Sequence, residues 1–180
     1  FTAVPHNPIP LDAETAAFLN SEAAYGRYNG GLLQLQAGGL ISAEEVARRT
    51  ISFSEGESNA VVIVDEDLTD LGAINPAFAA LPKYRQATAE DLLVLTYRSF
   101  IGTLANPNDP TSINGVAVPL ADQWVLTPEE QEAVEVARTA YNQTIAGLAQ
   151  QYDLAFVDAS GFLDELATNG FILSNGSSVT

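Results

Sequence analysis

A mixed α/β fold is what this sequence predicts, and three observations carry that prediction. First, Thr127-Pro-Glu-Glu130 opens a long helical pattern, which is followed by a short apolar run, Leu154-Ala-Phe-Val157, and a second helical pattern from Ala159 to Thr168. Helix, short loop, buried strand and helix is the order in which α/β sheet proteins are built. Second, Thr50 to Val64 is rich in β-branched and aromatic residues, as strands are. Third, 47% of the 180 residues are hydrophobic and 17% are charged, enough apolar material for one domain with a sizeable core.

The elements follow in chain order. Three prolines between Val4 and Pro10 fix an extended course. From Asp12 to about Gln36, Phe18, Ala24, Tyr25, Tyr28, Leu32 and Leu35 recur at helical spacing, with Asp12 as N-cap and Gly38-Gly39 as the stop. Ser42-Ala-Glu-Glu45 reads as a capping box that starts a short helix to about Arg49. Thr50–Phe53 and Ala60–Val64, joined by Glu55–Asn59, read as a hairpin.

Asp65 to Gln86 reads as irregular, with short helical turns. Thr88–Asp91 caps a turn before a strand over Leu92–Tyr97, and Asn106–Gly115 is a loop. In the long helix after Thr127, Val134, Ala137, Tyr141, Ile145, Leu148 and Tyr152 form one apolar stripe ending near Gln151. The final helix stops at Asn169-Gly170. One domain over residues 1–180 is expected: residues 13–108 an inserted cap, residues 109–180 the α/β scaffold.

Composition excludes several functions. Seven basic against 23 acidic residues give a net charge of -16, which repels phosphate backbones and anionic headgroups, so no nucleic-acid partner is expected. No apolar run approaches the ~18 residues of a membrane span. Without cysteine, disulfides and thiolate metal sites are impossible. The acidic, lysine-poor surface suits salty or extracellular surroundings.

Candidate chemistry is sparse. His6, the only histidine, lies between prolines, and no Gly-x-Ser-x-Gly motif accompanies it; a surface or loop-packing role is expected. One histidine and no cysteine exclude the usual zinc sets. Asp65-Glu-Asp-Leu-Thr-Asp70 is the densest carboxylate cluster, but it lacks the central glycine and distal glutamate of an EF-hand loop and reads as a solvated acidic loop. Asn142 and Asn175 begin formal glycosylation sequons. Trp124 and the six tyrosines could line a sugar-binding surface, although such residues are more often core. No residue is assigned as catalytic, cofactor-binding or metal-ligating, and no cofactor is expected.

Several stretches resemble secreted bacterial SGNH/GDSL-type hydrolases of the lipase and esterase kind. They are Val4–Pro10, Ala24–Asn29, Thr88–Leu95, Arg98–Gly102, Ile113–Asp122, Trp124–Leu126, Ala140–Ile145 and Leu154–Asp158. The resemblance implies a three-layer α/β sandwich, present here in part, and a secreted or cell-surface location. It also implies a nucleophilic serine in a Gly-Asp-Ser block, glycine and asparagine oxyanion donors in later blocks, and an Asp-x-x-His pair near the C-terminus. None of these blocks occurs in the chain, and His6 has no aspartate three residues before it. No catalytic residue therefore carries over. The expectation is a chain that supplies scaffold and pocket cap to an ester hydrolase and is inactive alone, its partner being the remainder of the same precursor or further copies of itself. The alternative is a noncatalytic extracellular assembly subunit; a carbohydrate-binding module, resting on the scattered aromatics, is a third reading.

Overall fold

A computed structural model describes residues 9–94, 96, 99–172 and 177–179. The fold is mixed α/β: helices with small antiparallel two-stranded sheets. Two compact units are present, residues 1–132 and residues 133–180, within what the sequence reads as one domain.

The first unit opens with β1 (Ile9–Leu11) and two helices, α1 (Ala13–Leu19) and α2 (Tyr25–Ala37). Asp12 caps α1 as expected, its carboxylate accepting from the Thr15 amide at 2.7 Å. The single helix expected over residues 12–36 is broken at Asn20–Ala24. The Asn20 amide leaves the helix to clasp the Phe53 backbone, donating to its carbonyl at 2.7 Å and accepting from its N–H at 2.9 Å. Helix α2 ends at Gly38, and Gly39 takes the positive φ of 70° that a side chain disfavours. Ser42 caps α3 (Ala43–Arg49), with the Glu45 amide donating to its hydroxyl at 3.1 Å.

The expected hairpin over residues 50–64 does not form. Segment 50–53 is extended, but side-chain amides replace a ladder: Asn29 pairs with both backbone groups of Ile51, and Asn20 does the same for Phe53. Part of the expected loop instead becomes β2 (Gly56–Asn59), which pairs with β1. Alternation of apolar residues fixes which faces are buried and leaves the pairing partner open.

Strand β3 (Val62–Val64) lies at the centre of the first unit. It pairs antiparallel with β4 (Tyr84–Gln86), placing Ile63 opposite Arg85. Its other edge is also occupied: Val62 N–H donates to the Gly115 carbonyl at 2.8 Å, and Leu120 N–H to the Val62 carbonyl at 2.9 Å. Val61, Val62 and Ile63 are all sealed from solvent, so both faces of the strand are covered, which is why it reads as an unbroken apolar run. Residues 71–78 hold two short helical turns, α4 (Leu71–Ile74) and a 3-10 turn at Pro76–Phe78, as expected for an irregular stretch. The expected strand after Asp91 is shorter, β5 (Leu92–Leu93), paired with β6 (Val125–Leu126); Leu95 and Tyr97 lie outside the described residues. Residues 106–115 form the predicted loop, held by Ser112, whose hydroxyl donates to the Asp109 carbonyl at 2.7 Å.

Helix α5 (Pro128–Gln151) begins as its sequence dictates. Thr127 and Glu130 cap each other, Thr127 N–H donating to Glu130 Oε2 at 2.8 Å and Glu130 N–H to Thr127 Oγ1 at 3.3 Å. The unit boundary falls after its first turns.

The second unit comprises the rest of α5, α6 (Ala159–Asn169) and the pair β7 (Phe171–Ile172) with β8 (Ser178–Val179). Gly170, at φ 69°, stops α6 where the sequence places the stop. Leu154–Val157, expected as a buried strand, is neither a strand nor buried. Among the described residues no strand pairs with it, and Val157 is 82% exposed. The stripe of α5 is likewise bare, with Tyr141 70% exposed and Ile145 54% exposed.

Candidate functional site

The residues singled out in the sequence are dispersed. His6 and Asn175 lie outside the described residues. Asn142 is half-buried on α5. Trp124 packs against Phe100 with ring centroids 5.1 Å apart and nearly parallel planes. Among the described residues no group of three or more histidine, cysteine or acidic side chains is arranged to hold a metal ion.

The solvated-loop reading of residues 65–70 needs one correction. Glu66, Asp67 and Asp70 are exposed, and Asp70 caps α4 through the Gly72 amide at 2.9 Å. Asp65 is fully buried. Its Oδ2 accepts from Arg85 Nε at 2.5 Å and Arg48 at 3.3 Å, while its Oδ1 accepts from the Asp67 amide at 2.9 Å. Asp65 directly follows β3, its N–H donating to the Lys83 carbonyl at 2.9 Å, and the Arg85 guanidinium compensates the charge buried there.

Arg85 also forms a bidentate pair with Asp91, at 2.6 and 2.7 Å, and Asp91 accepts from the Thr88 amide at 2.6 Å. Burial raises the Asp91 carboxyl, but the Arg85 guanidinium and the Thr88 groups outweigh it and hold it below its ordinary value. Burial alone would lower the Arg85 pKa; its two carboxylate partners raise it instead. Every oxygen of both carboxylates has a donor. A cleft of about 480 Å³ lies beside this cluster, lined by Arg48, Thr50, Arg85, Thr88 and Glu129. Arg48 crosses its rim to Glu129 at 2.5 Å. With its charges paired off, the cluster is a clasp joining β3, β4 and the Thr88–Asp91 turn, not a reactive centre.

A second cleft, about 430 Å³, differs in chemistry. Phe18 from α1, Tyr25 and Tyr28 from α2, and Pro82 and Tyr84 at β4 form its apolar walls, while Asp109, Thr111 and Ser112 come from the loop opposite. Two tyrosines are anchored by their hydroxyls: Tyr25 donates to the Val116 carbonyl at 2.5 Å and Tyr28 to the Tyr84 carbonyl at 2.7 Å. Burial pushes the Tyr25 hydroxyl well above its ordinary pKa, so it stays neutral. The Tyr84 hydroxyl has no hydrogen-bond partner among the described residues. Asp109 Oδ1 accepts from the Thr111 hydroxyl at 2.7 Å and the Thr111 amide at 2.9 Å, which holds the carboxyl ionised below its usual range. Among the described residues no lysine or arginine lines the cleft. A mostly apolar pocket of this size with a few convergent polar groups is the usual form of a small-molecule site.

The sequence pointed to Tyr25 and Tyr28 as helix-face residues and, with the other tyrosines, as a sugar-binding surface, and gave no sign of Asp109. The missing signal is the fold itself, which brings residues some 80 to 90 positions apart to one cleft. No helix among the described residues is long and apolar enough to cross a membrane. No family model matches the chain, and no curated protein and no solved structure matches it either.

Proposed function

We propose that the chain is the central to C-terminal part of a secreted SGNH/GDSL-like ester hydrolase, in which it supplies scaffold and the wall of the substrate pocket and is inactive by itself. The observation that supports this reading most is the bare apolar face of the second unit. Val134, Tyr141, Ile145, Leu148, Leu154, Phe156 and Phe162 are all exposed large hydrophobics. A segment apolar on both faces, between two amphipathic helices, is the pattern of an inner strand of a covered sheet. On this proposal the rest of a three-layer α/β sandwich covers it, and the 430 Å³ cleft belongs to the cap, residues 13–108, and its neighbouring loop. The reaction needs a nucleophile and a base, which the Gly-Asp-Ser and Asp-x-x-His blocks of such an enzyme provide.

Hydrolysis of a chromogenic short-chain ester tests the reading. The 180-residue chain should give background turnover, and the full reading frame that encodes it should give activity lost on replacing its Gly-Asp-Ser serine. A reading frame with neither block ends the hydrolase proposal. Turnover by this chain alone, abolished by His6→Ala, contradicts its inactivity.

The same bare face favours a second reading, a noncatalytic extracellular assembly subunit whose apolar surface is covered by further copies. Light scattering after size exclusion separates the two: this reading needs concentration-dependent oligomers, and a stable monomer at micromolar concentration counts against it.

A further inference from the structure

The cleft between α1, α2 and the 109–118 loop has a chemical bias that neither reading of the function uses. Among the described residues the one charged side chain in its lining is a carboxylate, Asp109. The Tyr25 and Tyr28 hydroxyls spend their protons on backbone carbonyls, so neither has a proton left to donate to a ligand. Asp109 is held ionised, its Oδ1 tied to Thr111 and its Oδ2 without a protein donor among the described residues. Phe18 and Tyr84 add ring surface that is at least partly open, and ring faces are electron-rich.

Among the described residues no lysine or arginine lines the cleft to answer this carboxylate, and the chain as a whole carries a net charge of -16. The clasp at Arg85 shows the contrast: there the carboxylates are matched by guanidinium groups, and nothing is left for a ligand. We propose that the cleft binds a small alkylated ammonium cation, with the aromatic rings facing its methyl groups and Asp109 supplying the counter-charge. Cations of this kind are weakly hydrated and are attracted to the faces of tyrosine and phenylalanine rings. An anionic ligand, such as a free fatty acid, is repelled by the same carboxylate and surrounding field. The inference stands apart from ester hydrolysis, because binding is read without turnover.

Titration calorimetry with choline at low ionic strength tests it on the intact chain. Saturable binding is expected, weakening as salt is added. The neutral isostere 3,3-dimethylbutan-1-ol has the same shape without the charge and should bind at least about tenfold more weakly. Asp109→Asn should weaken choline by about tenfold, and Tyr84→Ala should weaken it further. Glu135→Gln, in the second unit, should leave it unchanged. Circular dichroism of each variant establishes that the fold persists, and the comparison of choline with its isostere needs no variant at all. Equal binding of the two compounds, no saturable choline binding, or preferential binding of a neutral methyl glucoside would each overturn the proposal.

Discussion

The apolar residues of α2 and those of α5 recur with the same helical spacing, yet their fates are opposite. Leu32 and Leu35 are completely sealed from solvent, while Tyr141, Ile145 and Leu148 stand in it. The difference does not lie in the helices. Helix α5 is longer and better capped, with a reciprocal Thr127–Glu130 box, whereas α2 has no side-chain cap at its N-terminus. What separates them is the supply of partners. The first unit holds α2 against α3, the 50–53 segment, β4 and the 113–118 loop; among the described residues the second unit offers α5 only α6, a short non-helical segment and a two-residue hairpin. Periodicity predicts that a face is apolar, and a fold must still provide something to cover it.

The largest effect should come from the buried clasp of the first unit. Arg85→Ala leaves Asp65 and Asp91 without their principal cation in a buried setting, and should lower the stability of that unit by about 3–5 kcal/mol in urea denaturation. The same clasp sets an acid limit. Asp91 has its folded pKa depressed below its unfolded value of about 3.9. Its contribution is therefore fully present above that value and lost as pH falls through the lower folded pKa. Stability measured below about pH 4 should drop steeply in the native chain and less steeply in Asp91→Asn.

Next in size is core truncation. Leu32→Ala should cost about 2–5 kcal/mol, in line with a fully buried leucine. Thr127→Ala removes a capping hydroxyl and should cost about 1 kcal/mol. Ile145→Ala, on the exposed face of α5, should change stability by no more than about 0.5 kcal/mol. A loss at Ile145 as large as that at Leu32 would show that the face is covered and erase the distinction between the two units.

Helix starts and stops were legible because capping is local. Asp12, Ser42, Thr127 and Gly170 act where their neighbours in sequence place them. Strand pairing was not legible, since Asn20 and Asn29 replace a ladder that residues 50–53 were expected to make, and neither asparagine stands near them in sequence. The kink at Asn20 has the same origin, a long-range contact overriding a continuous helical pattern. Asp65 read as one more solvated acid because its burial depends on Arg85, twenty residues away. The aromatic cleft was visible only as helix-face tyrosines and as scattered aromatics without a common site, for its carboxylate comes from a loop more than 80 residues further on. Short-range chemistry survives translation into sequence patterns, and long-range pairing does not.

Hydrogen exchange, followed amide by amide on the 180-residue chain at low concentration, tests the contrast between the units most directly. Ala155 and Phe156 make no backbone hydrogen bond among the described residues, whereas Val62 and Val64 donate to carbonyls across a buried strand edge. Amides 155 and 156 should exchange at nearly the rate of an unstructured peptide, while those of Val62 and Val64 exchange only on opening of the first unit. Comparable protection of both sets would mean that the apolar face is already covered within this chain, contradicting the view that it awaits the rest of a sheet.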